Sequence, residues 1–588
     1  MFEIKWLWKY MGKKRKLFVI GLIIAAVTSS MLIINPMLSQ RLIDEVITPQ
    51  DPTWLIPILA AMLAVQVTRL GLRYLMIILI EKNSQQMYDD VRCRMFDVIQ
   101  NEDYKFFGKM RTGDLMTRMT NDLDLVRHAT SWIAYAAVDS VVIFVVTISF
   151  FFTINWKMTL CLAAVTPLIF IVTVVFSKII RPMYINLRAR LSGLNTVAQE
   201  NIEGNRVVKA FAREEFEKDK FEEKNEEYRK ANLKTTYVGV KFQPFIDFLS
   251  QVLTVITVLV GGFFMINGEL TAGEMLAFSS LTWALANPLR TLGMLINDTQ
   301  RFFASCDMII EVFYSEPTIV DRNNSKKPEK RPEGEVEFKN VSFSIGKAQI
   351  VQDIDFHIRP GKTLGIMGTT GSGKTSVTNL LMRFYEPQSG QVLLDGININ
   401  EYPLRDLRTS MGIAMQDVFL FSDSVDGNIA YGTPDMEHEE ILKYALHADA
   451  DGFIKKMNDG YDTLVGERGV GLSGGQKQRI SLARALAMKP SVLILDDTTS
   501  AVDMETEQYI QKELRNLEFP CTKIIIAQRV SSVQDADEII IMDGGKITER
   551  GTHDELIAKR GFYHRIWKLQ NSIEEDEDRG DMNGTQPV

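Results

Sequence analysis

Residues Gly368-Thr-Thr-Gly-Ser-Gly-Lys-Thr375 decide how this chain is read. They satisfy G-x-x-x-x-G-K-S/T, the phosphate-binding loop. An apolar run from Thr363 to Met367 predicts a strand before it, and Ser376 to Met382 predicts a helix after it, which is the context the motif requires. Gly368, Gly371 and Gly373 let the backbone N–H groups of the loop, with Thr369, Thr370 and Ser372 between them, close round the β- and γ-phosphates of a nucleotide. The helix N-terminus adds partial positive charge. Lys374 would hold the phosphates and the Thr375 hydroxyl would ligate Mg²⁺.

Downstream, Val492-Leu-Ile-Leu-Asp496 is a short apolar strand ending in an acid, suited to hold the Mg²⁺ shell through Asp496. Before it lies Leu472-Ser473-Gly474-Gly475-Gln476. This order of motifs resembles the ATP-binding-cassette (ABC) family. The resemblance implies that Leu472–Gln476 is the signature, which contacts the γ-phosphate of ATP bound to the opposite cassette. It implies that Gln416 belongs to the glutamine loop and reaches the Mg²⁺ site. It also makes Ser500-Ala-Val-Asp503 the D-loop, with Ser500 and Asp503 at its ends. ATP and Mg²⁺ are the expected cofactors.

At 588 residues the chain exceeds one domain, and 46% hydrophobic with 24% charged residues predicts a membrane half joined to a soluble half. A net charge of −8 argues against a nucleic-acid partner. Cys93, Cys161, Cys306 and Cys521 have no metal or disulfide spacing and read as reduced thiols. No cleavable signal is expected.

Six apolar stretches have the ~20 residues that cross a bilayer. They are Leu17–Ile34, Trp54–Ile80, Ile133–Ile154, Met158–Ile180, Phe245–Ile266 and Met275–Ile296. Before them, Met1 to Lys16 mixes Trp6 and Trp8 with lysines and predicts a helix lying on the membrane surface. Basic residues concentrate before the first stretch and in 81–132 and 181–244, so the N-terminus and both long segments are expected in the cytoplasm of a multi-pass cell-membrane protein. By the resemblance, Arg111–Asp122 (with Gly113 and Asp114) and Gly204–Phe211 (with Gly204 and Arg206) would be coupling helices. Inside the spans, Gln66, Arg69, Arg73, Asp139, Asp247, Gln251, Asn287 and Arg290 either line a polar pathway or pair between helices. Asn287-Pro288 is expected to break the sixth span's hydrogen-bond ladder.

The expected architecture is an all-α six-span transmembrane domain followed by an α/β ABC ATPase domain. The boundaries read as 1–315 for the transmembrane domain, 316–333 for a polar linker, 334–570 for the nucleotide-binding domain and 571–588 for an acidic disordered tail.

Three residues depart from the family pattern. Asp497 stands where the family has the glutamate that orients the attacking water. Gln528 stands where it has a histidine contacting the γ-phosphate. Ile345 replaces the aromatic that stacks on adenine. Aspartate is one methylene shorter, and Gln528 carries neither proton nor positive charge. The phosphate-binding elements are intact while the hydrolytic ones change together. That combination resembles the degenerate half of a heterodimeric ABC exporter, whose partner is a different half-transporter with the intact catalytic site. The substrate class implied is a small hydrophobic or amphipathic molecule (drug, lipid or peptide), with membrane lipid as a further partner. A homodimeric lipid flippase and an ATP-gated channel are the alternatives.

Overall fold

A computed structural model describes residues 2–322, 328–466 and 469–571, apart from the Lys13 side chain. Part of the expected linker and nearly all of the acidic tail fall outside the described residues. The chain divides into two compact units. One comprises Met1–Asn101 and Met110–Glu316; the other comprises Glu102–Lys109 and Pro317–Val588.

The first unit is helical. Among the described residues five stretches are long and apolar enough to cross a membrane: Arg15–Ile47, Pro52–Asn101, Thr112–Ile154, Trp156–Glu203 and Glu214–Ile266. The sixth expected span is divided between helices Ala272–Leu281 and Trp283–Phe313. A further break falls at Thr282, between the two helices, in addition to the N–H that Pro288 removes from the ladder. Pro288 sits inside the second helix. Thr282 turns its hydroxyl back to the Phe278 carbonyl at 2.8 Å, and its own carbonyl accepts from Leu285 in a tightened turn at 3.2 Å. Asn155 makes the one-residue link between the third and fourth spans by accepting from the Met158 N–H at 3.0 Å.

The N-terminal helix Phe2–Tyr10 does more than lie on a surface. Trp6 is buried, edge-on to Phe313 at 5.4 Å, and Tyr10 meets the same ring at 4.8 Å. Ile4 and Trp8 on the opposite face are exposed, as is Phe2 at the helix start. Four of the intramembrane polar groups, Arg69, Asp139, Asp247 and Arg290, find partners on neighbouring helices. Arg290 pairs with Asp247 at 3.2 Å, Ser29 donates to Asp139, and Arg69 donates to the Thr28 carbonyl at 3.2 Å.

The second unit carries two sheets. Strands β1 (Val336–Ile345), β2 (Ala348–Ile358), β4 (Ser389–Leu394) and β5 (Ile397–Asn398) form an antiparallel sheet ordered β2-β1-β4-β5. The other sheet is ordered β10-β9-β3-β8-β7-β6. It comprises β3 (Thr363–Gly368), β6 (Met411–Ala414), β7 (Val492–Asp496), β8 (Thr522–Ile526), β9 (Glu538–Asp543) and β10 (Lys546–Gly551). Within it β3, β6, β7, β8 and β9 run parallel, and β10 is an antiparallel edge. β7, β8 and β9 are near-continuous Ile, Leu and Val because both faces of the sheet are buried, in two separate hydrophobic clusters.

The entry into β1 is pinned by one side chain. Asp395, itself at φ +50°, accepts from the N–H groups of Glu333 (2.6 Å), Gly334 (3.0 Å) and Glu335 (2.7 Å). Asp395→Ala leaves three donors without their acceptor and is expected to cost roughly 2–3 kcal/mol. Asp395→Asn, which keeps an acceptor and tolerates the left-handed backbone, should cost less. Thermal unfolding of the purified chain checks this: an unchanged melting temperature in Asp395→Ala would remove the anchor from the account.

Candidate functional site

The parallel sheet delivers the sequence motifs to one edge. β3 pairs with β8 (Ile366 opposite Ile526), and β8 with β7 (Asp496 opposite Ile526). The residues just beyond these strand ends therefore converge, as at the carboxyl edge of other open α/β sheets. They are the phosphate loop after β3, Asp497 after β7 and Gln528 after β8.

Close approach requires glycine at 368 and 373. A Cβ on Gly368 would lie 2.0 Å from the Met542 carbonyl oxygen on the neighbouring β9. Helix Lys374–Leu381 starts directly after Gly373, whose φ is +95°. The Lys374 ammonium folds back over the loop, donating to the carbonyls of Gly368 (2.9 Å) and Thr369 (2.8 Å). Burial pulls its pKa down, while Asp496 and Asp497 nearby oppose that shift.

Asp496 is buried at 5% exposure, and burial raises its carboxyl above the usual range. A hydrogen bond from the Thr375 side chain and the charge of Lys374 oppose the rise, and Asp497 adds to it. Burial also raises Asp497, against a Ser500 hydrogen bond and the charges of Arg529 and Lys374. Gln416 donates to the Asp497 carboxylate at 3.5 Å. Thus Lys374, Thr375, Asp496, Asp497 and Gln416 form one cluster. Asp497 itself holds φ +52°, a left-handed conformation that aspartate tolerates better than longer residues do. Gln528 is exposed, and among the described residues its carboxamide makes no hydrogen bond. Ile345 ends β1, 53% exposed.

The signature opens a different helix, Gly474–Ala487. Ser473 and Gln476 form a reciprocal cap: the Ser473 hydroxyl accepts from the Gln476 N–H at 3.3 Å, and the Gln476 side chain accepts from the Ser473 N–H at 2.9 Å. The cap leaves the remaining N–H groups of this first turn to an external anion. Gly475 is tight against the D-loop, since a Cβ there would lie 2.8 Å from the Ala501 carbonyl oxygen. Gln478 ties the two together, donating to the Asp497 carbonyl (3.3 Å) and the Ser500 hydroxyl (3.2 Å). The Asp503 carboxylate caps helix Met504–Arg515. Leu472 packs against the hydrophobic core beneath.

The cluster fits a magnesium nucleotide. It offers a cradle without side chains, an ammonium facing it, and a hydroxyl bonded to a buried carboxylate. Among the described residues no group of three or more His, Cys, Asp or Glu could hold a metal alone. Mg²⁺ needs none, because it binds through one or two carboxylates, waters and phosphate oxygens.

Sequence reading missed the docking of Glu102–Lys109. This segment belongs to the second unit, whereas Gly113 and Asp114, expected as coupling residues, lie in helix Thr112–Thr117 of the first. Tyr104 stacks on Phe384 at 5.4 Å, and Asp103 accepts from the Thr318 N–H at 2.8 Å. The aromatic run Tyr104-Lys-Phe-Phe107 was the available signal. Gly204 and Arg206 sit at the start of helix Asn205–Ala210, where Val207 and Phe211 are exposed.

Comparison with known proteins agrees with this geometry. Residues 18–289 match the ABC transporter transmembrane region, and residues 351–500 match the ABC transporter family. The chain is 35% identical, over 96% of both chains, to a Bacillus subtilis (strain 168) protein described as the uncharacterized ABC transporter ATP-binding protein YknU. The chain belongs to the ABC transporter family. It is an exporter-type member with transmembrane and ATPase domains fused, and an ATPase translocase by that membership. It is also 32% identical to an ATP-dependent lipid A-core flippase of Syntrophus aciditrophicus (strain SB), over 93% of this chain and 90% of the relative. A solved structure of a bacterial Atm1-family ABC exporter with ATP bound superposes with TM-score 0.79. That match is 24% identical and covers 95% of this chain and 99% of the other, which establishes the shared fold.

The buried acid makes a prediction in two directions. Asp496 has a raised pKa, so the folded state disfavours its ionised form. Its carboxyl favours folding most below the unfolded value near 3.8, and that contribution is lost as pH rises through the folded pKa. At neutral pH, Asp496→Asn is therefore expected to raise the melting temperature of the nucleotide-free exporter. The same change should abolish the further rise that MgATP produces. Thermal unfolding with and without MgATP reads both, and a lower nucleotide-free melting temperature would contradict the burial argument.

Proposed function

We propose that this chain is one half of a heterodimeric ABC exporter that moves a hydrophobic or amphipathic molecule (drug, lipid or peptide) out of the cell. Residues 1–315 form the transmembrane domain, 316–333 the linker and 334–570 the nucleotide-binding domain. The N-terminus and the ATPase domain are cytoplasmic. Gly368–Thr375 with Gln416 bind ATP, Ile345 packs on its adenine, and Thr375, Gln416 and Asp496 hold Mg²⁺. Mg²⁺ there neutralises phosphate charge. The signature Leu472–Gln476, braced on Ser500, completes the partner's site. The segments around Gly113–Asp114 and Gly204–Arg206, together with the docked Tyr104, carry coupling between the halves.

The observation that carries this reading is the adjacency of the two departures. Asp497 and Gln528 follow strands paired at Asp496 and Ile526, beside an intact Lys374–Thr375–Asp496 group. Asp497 is already engaged by Gln416 and Ser500. It is about 1.5 Å shorter than a glutamate, one C–C bond, so it does not reach as far toward an attacking water. Gln528 can donate a hydrogen bond to a γ-phosphate but cannot move a proton. Binding is retained, hydrolysis is slow, and the partner's site does the fast turnover that resets the pair.

A second reading, a homodimeric lipid flippase, is favoured by the likeness to the Syntrophus aciditrophicus protein. Mass spectrometry of what co-purifies with the tagged chain separates the two. A second ABC half with glutamate and histidine at the positions of Asp497 and Gln528 supports the heterodimer, and this chain alone overturns it.

The hydrolysis claim has its own test. Ser473→Arg is used to block the partner's site, so that residual turnover reports the site on this chain. In that background, Asp497→Glu with Gln528→His is expected to raise turnover by roughly 100-fold, the low end for a restored acid–base group. Unchanged turnover would sink the assignment of these two residues.

A further inference from the structure

The last described helix of the second unit, 562–571, is firmly mounted at its start. Glu549 on β10 accepts from the N–H groups of Phe562 and Tyr563. Tyr563 is fully buried, and its hydroxyl bonds His553 Nδ1 at 2.7 Å. Ile566 and Trp567 pack on the core of the nucleotide-binding domain. The last turn is thereby carried to the loop after β8. There a single carboxamide makes two bonds. Gln570 Oε1 accepts from the Val530 N–H at 2.9 Å, and Gln570 Nε2 donates to the Gln528 carbonyl at 3.0 Å.

These bonds grip the loop from behind. Val530 is 3% exposed, so its N–H has little water to turn to. The Ala527 N–H bonds the Ile366 carbonyl on β3 at 3.2 Å, which fixes the near side of the loop. The Arg529 guanidinium reaches Glu507 and the Val502 carbonyl only at 3.4 Å. Between these supports the Gln528 backbone is clamped while its side chain stays exposed. An amide fits this double role in a way its isosteres do not: a carboxylate loses the donor, and an aliphatic chain loses both bonds.

We propose that Gln570 is a positioning residue for the nucleotide site, holding the 528–530 backbone so that the Gln528 carboxamide stands at the γ-phosphate. This rests on the reading of Gln528 given above. Retention of ATP at this site then depends on the C-terminal helix, a part of the chain remote from every nucleotide motif in sequence.

The test uses the full-length chain, with any subunit that co-purifies, loaded with radiolabelled ATP and Mg²⁺. Dissociation of the label and hydrogen exchange at the Val530 amide are followed together. Gln570→Ala is expected to release ATP roughly 2- to 10-fold faster, the equivalent of one or two ordinary hydrogen bonds, and to unprotect Val530. Gln528→Ala should also speed release, and the double variant should be no faster than the faster single. Gln570→Glu keeps the acceptor for Val530 but not the donor to Gln528. It should leave Val530 protected and still release ATP fast, which a purely structural role would not produce. The proposal is overturned if Gln528→Ala speeds release while Gln570→Ala does not, or if the two effects multiply in the double variant. If Gln528→Ala itself leaves release unchanged, the reading of Gln528 fails and the positioning role falls with it.

Discussion

The register of three parallel strands is the constraint on which the site depends. Ile366, Ile526 and Asp496 lie side by side across β3, β8 and β7. That register alone brings the phosphate loop, residues 496–497 and Gln528 within reach of one another, although well over a hundred residues separate the first from the others. A shift of one residue in β7 would exchange the buried position of Asp496 for that of Leu495. The buried apolar residues of these strands, Leu364, Ile366 and Met367 on β3 among them, lock them between two hydrophobic clusters. Precision at the polar edge is thus set by packing in the apolar middle.

Within that frame the electrostatics are finely balanced. Two carboxylates and one ammonium share a partly dehydrated space, and each of Lys374, Asp496 and Asp497 is shifted toward its neutral form by burial. Such a cluster is poor as a structural ion pair and apt as a receptor, because a divalent ion with phosphates would supply the missing counter-charges. The same balance distinguishes Asp497 from its neighbour. Asp496 is committed to Thr375, whereas Asp497 is drawn sideways to Gln416 and Ser500 by its short side chain and its left-handed backbone.

The nucleotide motifs were legible in the sequence because phosphate chemistry dictates residue types at fixed spacing. Gly368 has no alternative when a carbonyl lies 2.0 Å from its absent Cβ. The inner strands were legible as apolar runs. β10, Lys546–Gly551, was not, because an edge strand half in solvent carries no such run. Gln570 was invisible for a related reason: its role is a long-range contact, and nothing local marks it. Docking by Tyr104 was not legible, because the aromatic run Tyr104–Phe107 marks apolar contact without naming its partner. The division at Thr282 was not legible, because a hydroxyl bonded back to the preceding turn leaves a weaker mark in the sequence than a proline does.

The long helices of the first unit explain why a single chain can combine such different solvents. Helix Glu214–Ile266 has 53 residues, which at 1.5 Å each is about 80 Å, against roughly 30 Å of hydrocarbon in a bilayer. Its two ends are written for different media. Between 215 and 230, pairs such as Glu226–Arg229, Glu215–Lys218 and Lys224–Glu227 repeat at helical spacing, which stabilises a helix in water and would be ruinous in lipid. Beyond Asp247, whose charge is met by Arg290 on another helix, the sequence is almost wholly apolar. One continuous hydrogen-bond ladder crosses that change of solvent, interrupted only where Pro244 lacks its N–H. The proline therefore lies three residues before the Asp247–Arg290 pair, where the helix passes from paired charges to apolar surface. A bend there would move the wet half of the helix while leaving the lipid-facing half in register with its neighbours.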